Sequence, residues 1–122
     1  MSTLINAVSQ LLASPQFQKQ AGKIAVDECL GLLKQGLSDR ETFIKTSAEL
    51  TAQALLDRAQ GLISEDDMTA LLNKQKTIAQ IHANSSEIAL RARIQSLTIR
   101  LLDLVTGPFV AQSNNALSGI VK

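Results

Sequence analysis

The chemistry that this sequence could carry rests on two residues, Cys29 and His82. His82 is the only histidine, so a relay between a nucleophile and an imidazole would need it, and a zinc site has no second imidazole. Cys29 follows Asp27 and Glu28, whose negative charges disfavour the reactive thiolate. We therefore expect a packed cysteine, a histidine at a helix surface or half-buried, and no catalytic residue.

The acidic residues do not predict a metal centre. A carboxylate-bridged di-metal site in a helical bundle needs Glu-x-x-His pairs, and the sequence has none. Glu65, Asp66 and Asp67 follow Ser64, where a helix is predicted to begin, and there they complement the helix dipole. The segment 31–38 has two glycines but lacks the lysine of a phosphate-binding loop. We predict no metal and no cofactor.

Length and composition favour one helical domain, 1–122, that works through its surfaces. The chain has a net charge of +1, 45% hydrophobic residues and only 2% aromatic residues. A near-neutral charge argues against a strongly basic nucleic-acid-binding protein, and the absence of Trp and Tyr removes the usual platforms for stacking bases. One cysteine excludes an intrachain disulfide framework.

Several helix boundaries can be predicted from capping residues. Ser14-Pro15 places a capping hydroxyl before a proline at the first helical position. The segments 38–41 and 64–67 both read as a serine followed by acidic residues, the pattern that begins a helix. Gly36 and Gly61 precede them and suit the left-handed conformation that ends a helix. We predict tight turns between helices at both places.

The apolar residues recur at intervals of three and four, which is the helical period. In 15–35 the predicted inward positions are Phe17, Ala21, Ile24, Ala25, Cys29, Leu32 and Leu33. In 65–83 the predicted inward face is Met68, Leu71, Leu72, Ile78 and Ile81. The apolar stripe changes phase near 84–86, so we predict two helices, 65–83 and 87–106.

These elements predict an all-α fold, an antiparallel bundle of about four long helices in up-down-up-down order, with a short amphipathic helix over 1–13. The alternative is a helical hairpin plus one long kinked helix over 65–106. The ends are uncharged before Lys19 and between Asp103 and Lys122. Helix 1–13 and the tail 107–122 therefore either close over the core or become ordered on assembly.

Helix 87–106 is apolar on much of its circumference, so it must be central or covered by another chain. Its heptad seam is flanked by arginines, which steer helix pairing through acidic partners. The predicted partner-binding residues are Leu90, Ile94, Leu97, Ile99, Leu101, Leu102, Leu104, Val105, Arg91, Arg93 and Arg100.

The predicted function is that of a non-catalytic interaction or assembly protein, such as a secretion-system, phage or filament component or an adaptor, with a homo-oligomer expected. One alternative is nucleic-acid binding through Arg91, Arg93, Arg100, Lys74 and Lys76, which the composition disfavours. A second alternative is a membrane-active helical protein, for which flanking Trp and Lys/Arg residues are missing. The N-terminus lacks the features of a cleaved signal peptide, so we expect a cytoplasmic protein, with export by another route left open.

Overall fold

The computed structural model describes residues 2–110, without the side chains of Ser2, Gln16, Phe17, Gln20 and Pro108. The predicted inward position of Phe17 and the tail beyond residue 110 lie outside that part. Every secondary-structure element of the described residues is a helix, which confirms the all-α class. The first five helices are α1 (Ser2–Leu12), α2 (Pro15–Ala21), α3 (Lys23–Leu37), α4 (Thr42–Ala59) and α5 (Glu65–Asn84).

Four consecutive segments complete the described chain, and we call them together the last helix, 88–109. They are α6 (Ile88–Arg93), a π-helical segment (Ile94–Ile99), α7 (Arg100–Leu104) and a second π-helical segment (Val105–Phe109). Gly107 has non-helical backbone angles inside the second π-helical segment, immediately before Pro108. The Gly107-Pro108 pair therefore kinks this helix rather than ending it, since proline removes a backbone donor.

The predicted break between α5 and the last helix is confirmed, and one continuous kinked helix over 65–106 is wrong. The hydroxyl of Ser85 donates to the carbonyl oxygen of Ile81 at 3.0 Å, and that of Ser86 donates to the carbonyl oxygen of His82 at 2.7 Å. These bonds satisfy carbonyls that a continuing helix would have used. Arg91 adds a donor, because its Nε donates to the carbonyl oxygen of Ala83 at 3.1 Å.

Two of the predicted helix starts are confirmed and one is wrong. α2 begins at Pro15, and the side chain of Ser64 accepts the backbone N–H of Asp67 at 3.0 Å as the N-cap of α5. Ser38 instead ends α3, where its hydroxyl donates to the carbonyl oxygen of Lys34. α4 begins four residues later, after a turn in which the carboxylate of Asp39 accepts the N–H of Glu41 at 2.8 Å.

The glycines divide the chain differently from the prediction. Gly61 has a φ of 77°, as expected for a left-handed end, but Gly36 remains inside α3. Gly22 has a φ of 93° and separates α2 from α3, so the expected helix over 15–35 is two helices. Because the chain turns at Gly22, the apolar spacing of α2 does not continue in the same phase into α3. Ile24 is therefore exposed in the first turn of α3 rather than inward.

Every helix contributes to one core. Its largest fully buried side chains are Val8 and Leu12 from α1, Val26 and Leu33 from α3, Ile44 and Leu55 from α4, Met68 and Leu72 from α5, and Ile94, Leu102 and Phe109 from the last helix. α1 packs against α3 and α4, and the last helix contacts α3, α4 and α5. The up-down-up-down order of four helices stays a prediction.

Candidate protein-interaction surface

The apolar side chains of the last helix are turned mainly towards this chain. Of the predicted partner-binding residues, Ile94, Leu101, Leu102 and Val105 are buried in the core. Leu90, Leu97, Ile99 and Leu104 are half-buried and pack against the same core. The last helix is therefore central in the described part of the chain. Of the two expected ways to cover its apolar surface, a central position and a second chain, the described residues show the first.

The three predicted interaction arginines bind groups of the same chain. Arg93 pairs with Asp39 at 2.8 Å, and Arg100 pairs with Glu28 at 2.7 Å. Arg91 donates to the carbonyl oxygens of Ala83, in the last turn of α5, and of Ser86, just after α5 ends, where a cation is also favoured by the helix dipole. The three arginines thus bind acidic or carbonyl groups of this chain, which lie on α3, in the turn before α4 and at or just after the end of α5.

Cys29 and His82 occupy structural positions. Burial, followed by the charge of Glu28, raises the pKa of the Cys29 thiol from 9.0 to about 12, which disfavours a reactive thiolate. The imidazole of His82 is half-buried and stacks on the ring of Phe43, with centroids 4.2 Å apart and planes 5° from parallel. No group of three His, Cys, Asp or Glu residues within 2–110 is arranged to hold a metal ion.

The surface that does stand out lies on α5, which carries two apolar faces. Its buried face is formed by Met68, Leu72, Ala79 and Ala83. Leu71, Ile78 and Ile81 are outside this face, with 38%, 40% and 64% of their surface exposed. The predicted single inward face of Met68, Leu71, Leu72, Ile78 and Ile81 is therefore wrong, and it is divided between the core and solvent.

The three exposed apolar residues share a helix face with two charged residues. Asp67, Leu71, Lys74, Ile78 and Ile81 succeed one another at intervals of four, three, four and three residues, which places them along one side of α5. We call these five residues the outer face of α5. Its alternation of four and three is the spacing of a heptad seam, the pattern by which one helix packs on another.

A groove adjoins the beginning of this face. It has a volume of about 400 Å³ and is lined by Leu50, Gln53, Ala54 and Asp57 of α4, by Ile63 of the turn and by Leu71 of α5. Gln53 donates to the carboxylate of Asp57 at 3.0 Å. Leu62, in the same turn, is 67% exposed. The groove and the outer face thus adjoin at Leu71, which belongs to both.

Two contacts between α4 and α5 hold the walls of the groove in register. The side-chain amide of Gln75 donates to the hydroxyl of Ser47 at 2.8 Å, and the stack of His82 on Phe43 lies two turns further along α5. Both contacts lie on the side of α5 that packs against α4. The outer face lies next to that side, and α4 does not cover it.

Sequence reasoning missed this surface because it assigned large apolar residues to the core first. The signal that could have found it is the pair of small residues, Ala79 and Ala83, which continue the stripe of Met68 and Leu72 at intervals of four and seven. Met68, Leu72, Ala79 and Ala83 alone already form a buried stripe along α5. Ile78 and Ile81 are therefore not needed for the core and lie on a different face of the helix. Ile24 and Ile88 are also exposed, but each stands in the first turn of its own helix, and single exposed apolar residues are common.

Comparison with protein-family models, with curated proteins and with solved structures finds no match to this chain. Within the described residues, none of the helices combines the length and the apolar character needed to cross a membrane.

Proposed function

We propose that this protein is a non-catalytic interaction protein that binds another protein chain through the outer face of α5 and the adjoining groove. The single observation that carries the proposal is the second apolar face of α5, formed by Leu71, Ile78 and Ile81 beside a groove lined by Leu50, Ala54 and Ile63. Contiguous exposed apolar surface of this kind, bordered by charged residues, is typical of a protein-binding site.

The location of the surface differs from the one predicted on the last helix. The apolar residues of the last helix already pack against α3, α4 and α5, so binding through them would require this chain to open. Leu71, Ile78 and Ile81 need no such rearrangement. Burying apolar surface contributes about 25 cal/mol per Å², so these three side chains favour a partner that covers them.

The nucleic-acid alternative loses its main support from the contacts of the arginines. Arg93 and Arg100 are paired with Asp39 and Glu28, and Arg91 is bound to backbone carbonyls. A phosphate backbone would have to compete with these partners for each guanidinium. We therefore propose protein binding as the function, since no specific observation favours nucleic-acid binding.

Site-specific photo-crosslinking in the cells that produce the protein tests the proposal. A photoreactive amino acid at position 78 or 81 is expected to give a discrete adduct with a protein chain, because both positions lie in the outer face. The matched control is position 80, an exposed glutamine on the opposite side of α5, which is expected to give none. Equal labelling from positions 78, 80 and 81, or none from any of them, would overturn the proposal.

A further inference from the structure

We infer that the chain bound by the outer face is a second copy of the same protein, joined across a two-fold axis with the two α5 helices antiparallel. In this arrangement Asp67 of each copy pairs with Lys74 of the other, and Ile78 of each copy enters the groove of the other. The inference rests on the proposed function and names its partner.

The first support is the order of charges along the outer face. It carries one acid, Asp67, and one base, Lys74, on either side of Leu71. Both side chains are exposed, and neither forms an ion pair within residues 2–110. A parallel copy would bring each charge against its own kind, whereas an antiparallel copy brings each against the opposite charge. The pattern is therefore self-complementary in one orientation only.

The second support is the register that this pairing imposes. Opposing residue 67 to residue 74 places the two-fold axis beside Ala70 and Leu71, so the two Leu71 side chains meet near the centre. Ile78 then lies roughly 11 Å from the axis at 1.5 Å per residue, and Ser64, the N-cap of α5, lies roughly 10 Å from it on the other side. Ile78 of one copy is consequently opposite the beginning of α5 in the other copy, where Ile63 lies in the turn just before Ser64.

The third support is the shape found at that place. Ile63 lines the groove of about 400 Å³ together with Leu50, Ala54 and Leu71. The groove has room for a side chain of the size of isoleucine entering from the second copy. In the same register Ile81 comes near Leu62, and these are two of the most exposed apolar residues of the described chain. One register thus covers all four exposed apolar residues of this region.

The residues that flank the seam do not oppose self-association. Ala70, Gln75 and Thr77 stand beside the outer face, and all three are uncharged. The remaining acids of the first turn include Asp66, which lies about 100° round the helix from Asp67 and outside the five residues of the outer face. The charge pair that determines orientation is therefore Asp67 with Lys74.

Charge exchange tests the inference by sedimentation velocity over a concentration series. Asp67→Lys and Lys74→Asp, made singly, each replace two attractive pairs by two repulsive ones and are expected to raise the dimer Kd at least about tenfold. The double variant D67K/K74D restores opposite charges across the axis and is expected to return the Kd to within about threefold of the original. In a parallel dimer the double exchange would rescue nothing.

Asp66→Lys is the matched control, because it removes an acid from the same helical turn and changes the charge equally, but outside the outer face. It is expected to leave the dimer Kd unchanged, and far-UV circular dichroism establishes that each variant is folded. Single variants without effect, or a double variant no better than the single ones, would overturn the antiparallel register. A purified chain that stays monomeric at its highest soluble concentration would overturn the second copy as partner, whereas an adduct from position 78 with a different protein would still support the proposed function.

Discussion

The guanidinium of Arg58 donates from Nε to the carbonyl oxygen of Val110, 52 residues further along the chain, at 3.1 Å. The same side chain donates from Nη1 to the carbonyl oxygen of Ile63 at 3.4 Å. One largely buried arginine thereby joins the end of α4, the turn before α5 and the end of the described chain. Ile63 also lines the groove, so Arg58 supports the wall of the candidate site from within.

Replacing Arg58 with methionine is expected to lower the free energy of unfolding by about 2 kcal/mol, because two carbonyl oxygens lose a charged donor. Urea unfolding followed by circular dichroism measures this loss. Arg100→Met is the control: the side chain of Arg100 is 55% exposed, compared with 10% for Arg58, and the loss on its replacement is expected to be below about 1 kcal/mol. Similar losses for the two variants would show that Arg58 has no special structural role.

Gly36 and Gly31, both inside α3, are expected to respond oppositely to alanine. A Cβ at Gly36 would lie 2.8 Å from the Cβ of Ala48, whereas at Gly31 it would meet nothing within 4 Å. Gly36→Ala should therefore destabilise the protein by about 1–3 kcal/mol through overpacking of α3 against α4. Gly31→Ala should stabilise it by up to about 1 kcal/mol, since alanine is the better helix former. Thermal unfolding gives the Tm of each variant relative to the original protein. Shifts of both Tm values in the same direction would contradict the prediction.

Thr98 offers a stabilising substitution in the last helix. Its hydroxyl is buried without a hydrogen-bond partner in the described structure. Thr98→Val keeps the shape and removes the unpaired hydroxyl, so we expect a gain of about 1 kcal/mol in the free energy of unfolding. Thr51→Val is the matched control, because the hydroxyl of Thr51 is buried but donates to the carbonyl oxygen of Ser47 at 2.8 Å. A gain at Thr51 equal to that at Thr98 would contradict the argument.

Cys29 makes stability depend on pH in the alkaline range. Because burial, and then Glu28, raises the thiol pKa to about 12 in the folded chain from 9.0, the unfolded chain loses this proton first. The thiol's contribution is thus fully present below pH 9 and is lost as the pH rises towards 12. Relative to Cys29→Ala, the wild-type free energy of unfolding should decline by about 1.4 kcal/mol per pH unit in this interval. Urea unfolding of both proteins across it tests this, and parallel pH profiles would contradict it.

The all-α class, the break after α5 and the start of α5 could be predicted because they depend on local chemistry. Ser64, Ser85 and Ser86 form bonds with backbone groups within four residues, so their neighbours in sequence are sufficient to place them. Gly22 and Gly36 could not be told apart in this way. Both are glycines in a helical pattern, and what distinguishes Gly36 is its close approach to Ala48, a contact between two helices.

The candidate site was harder to predict for the same reason. Periodicity groups Leu71 and Ile78 with Met68 and Leu72, because all four lie within half a turn of the helix wheel. Which half of that stripe is buried depends on where α4 and the last helix pack, and this is fixed by contacts such as Gln75 with Ser47 and Lys76 with Asp103. These pairs join residues 28 and 27 positions apart, beyond the reach of a local pattern.

The burial of Cys29 also makes the protein convenient for distance measurements. It is the only cysteine of the chain, and it is inaccessible in the folded state. A cysteine introduced at an exposed position of α5, such as Thr77, would therefore be the single thiol that takes up a spin label or a fluorophore under native conditions. Separations between two labels, one on each copy, would then report the geometry of an assembly without any need to alter the native thiol.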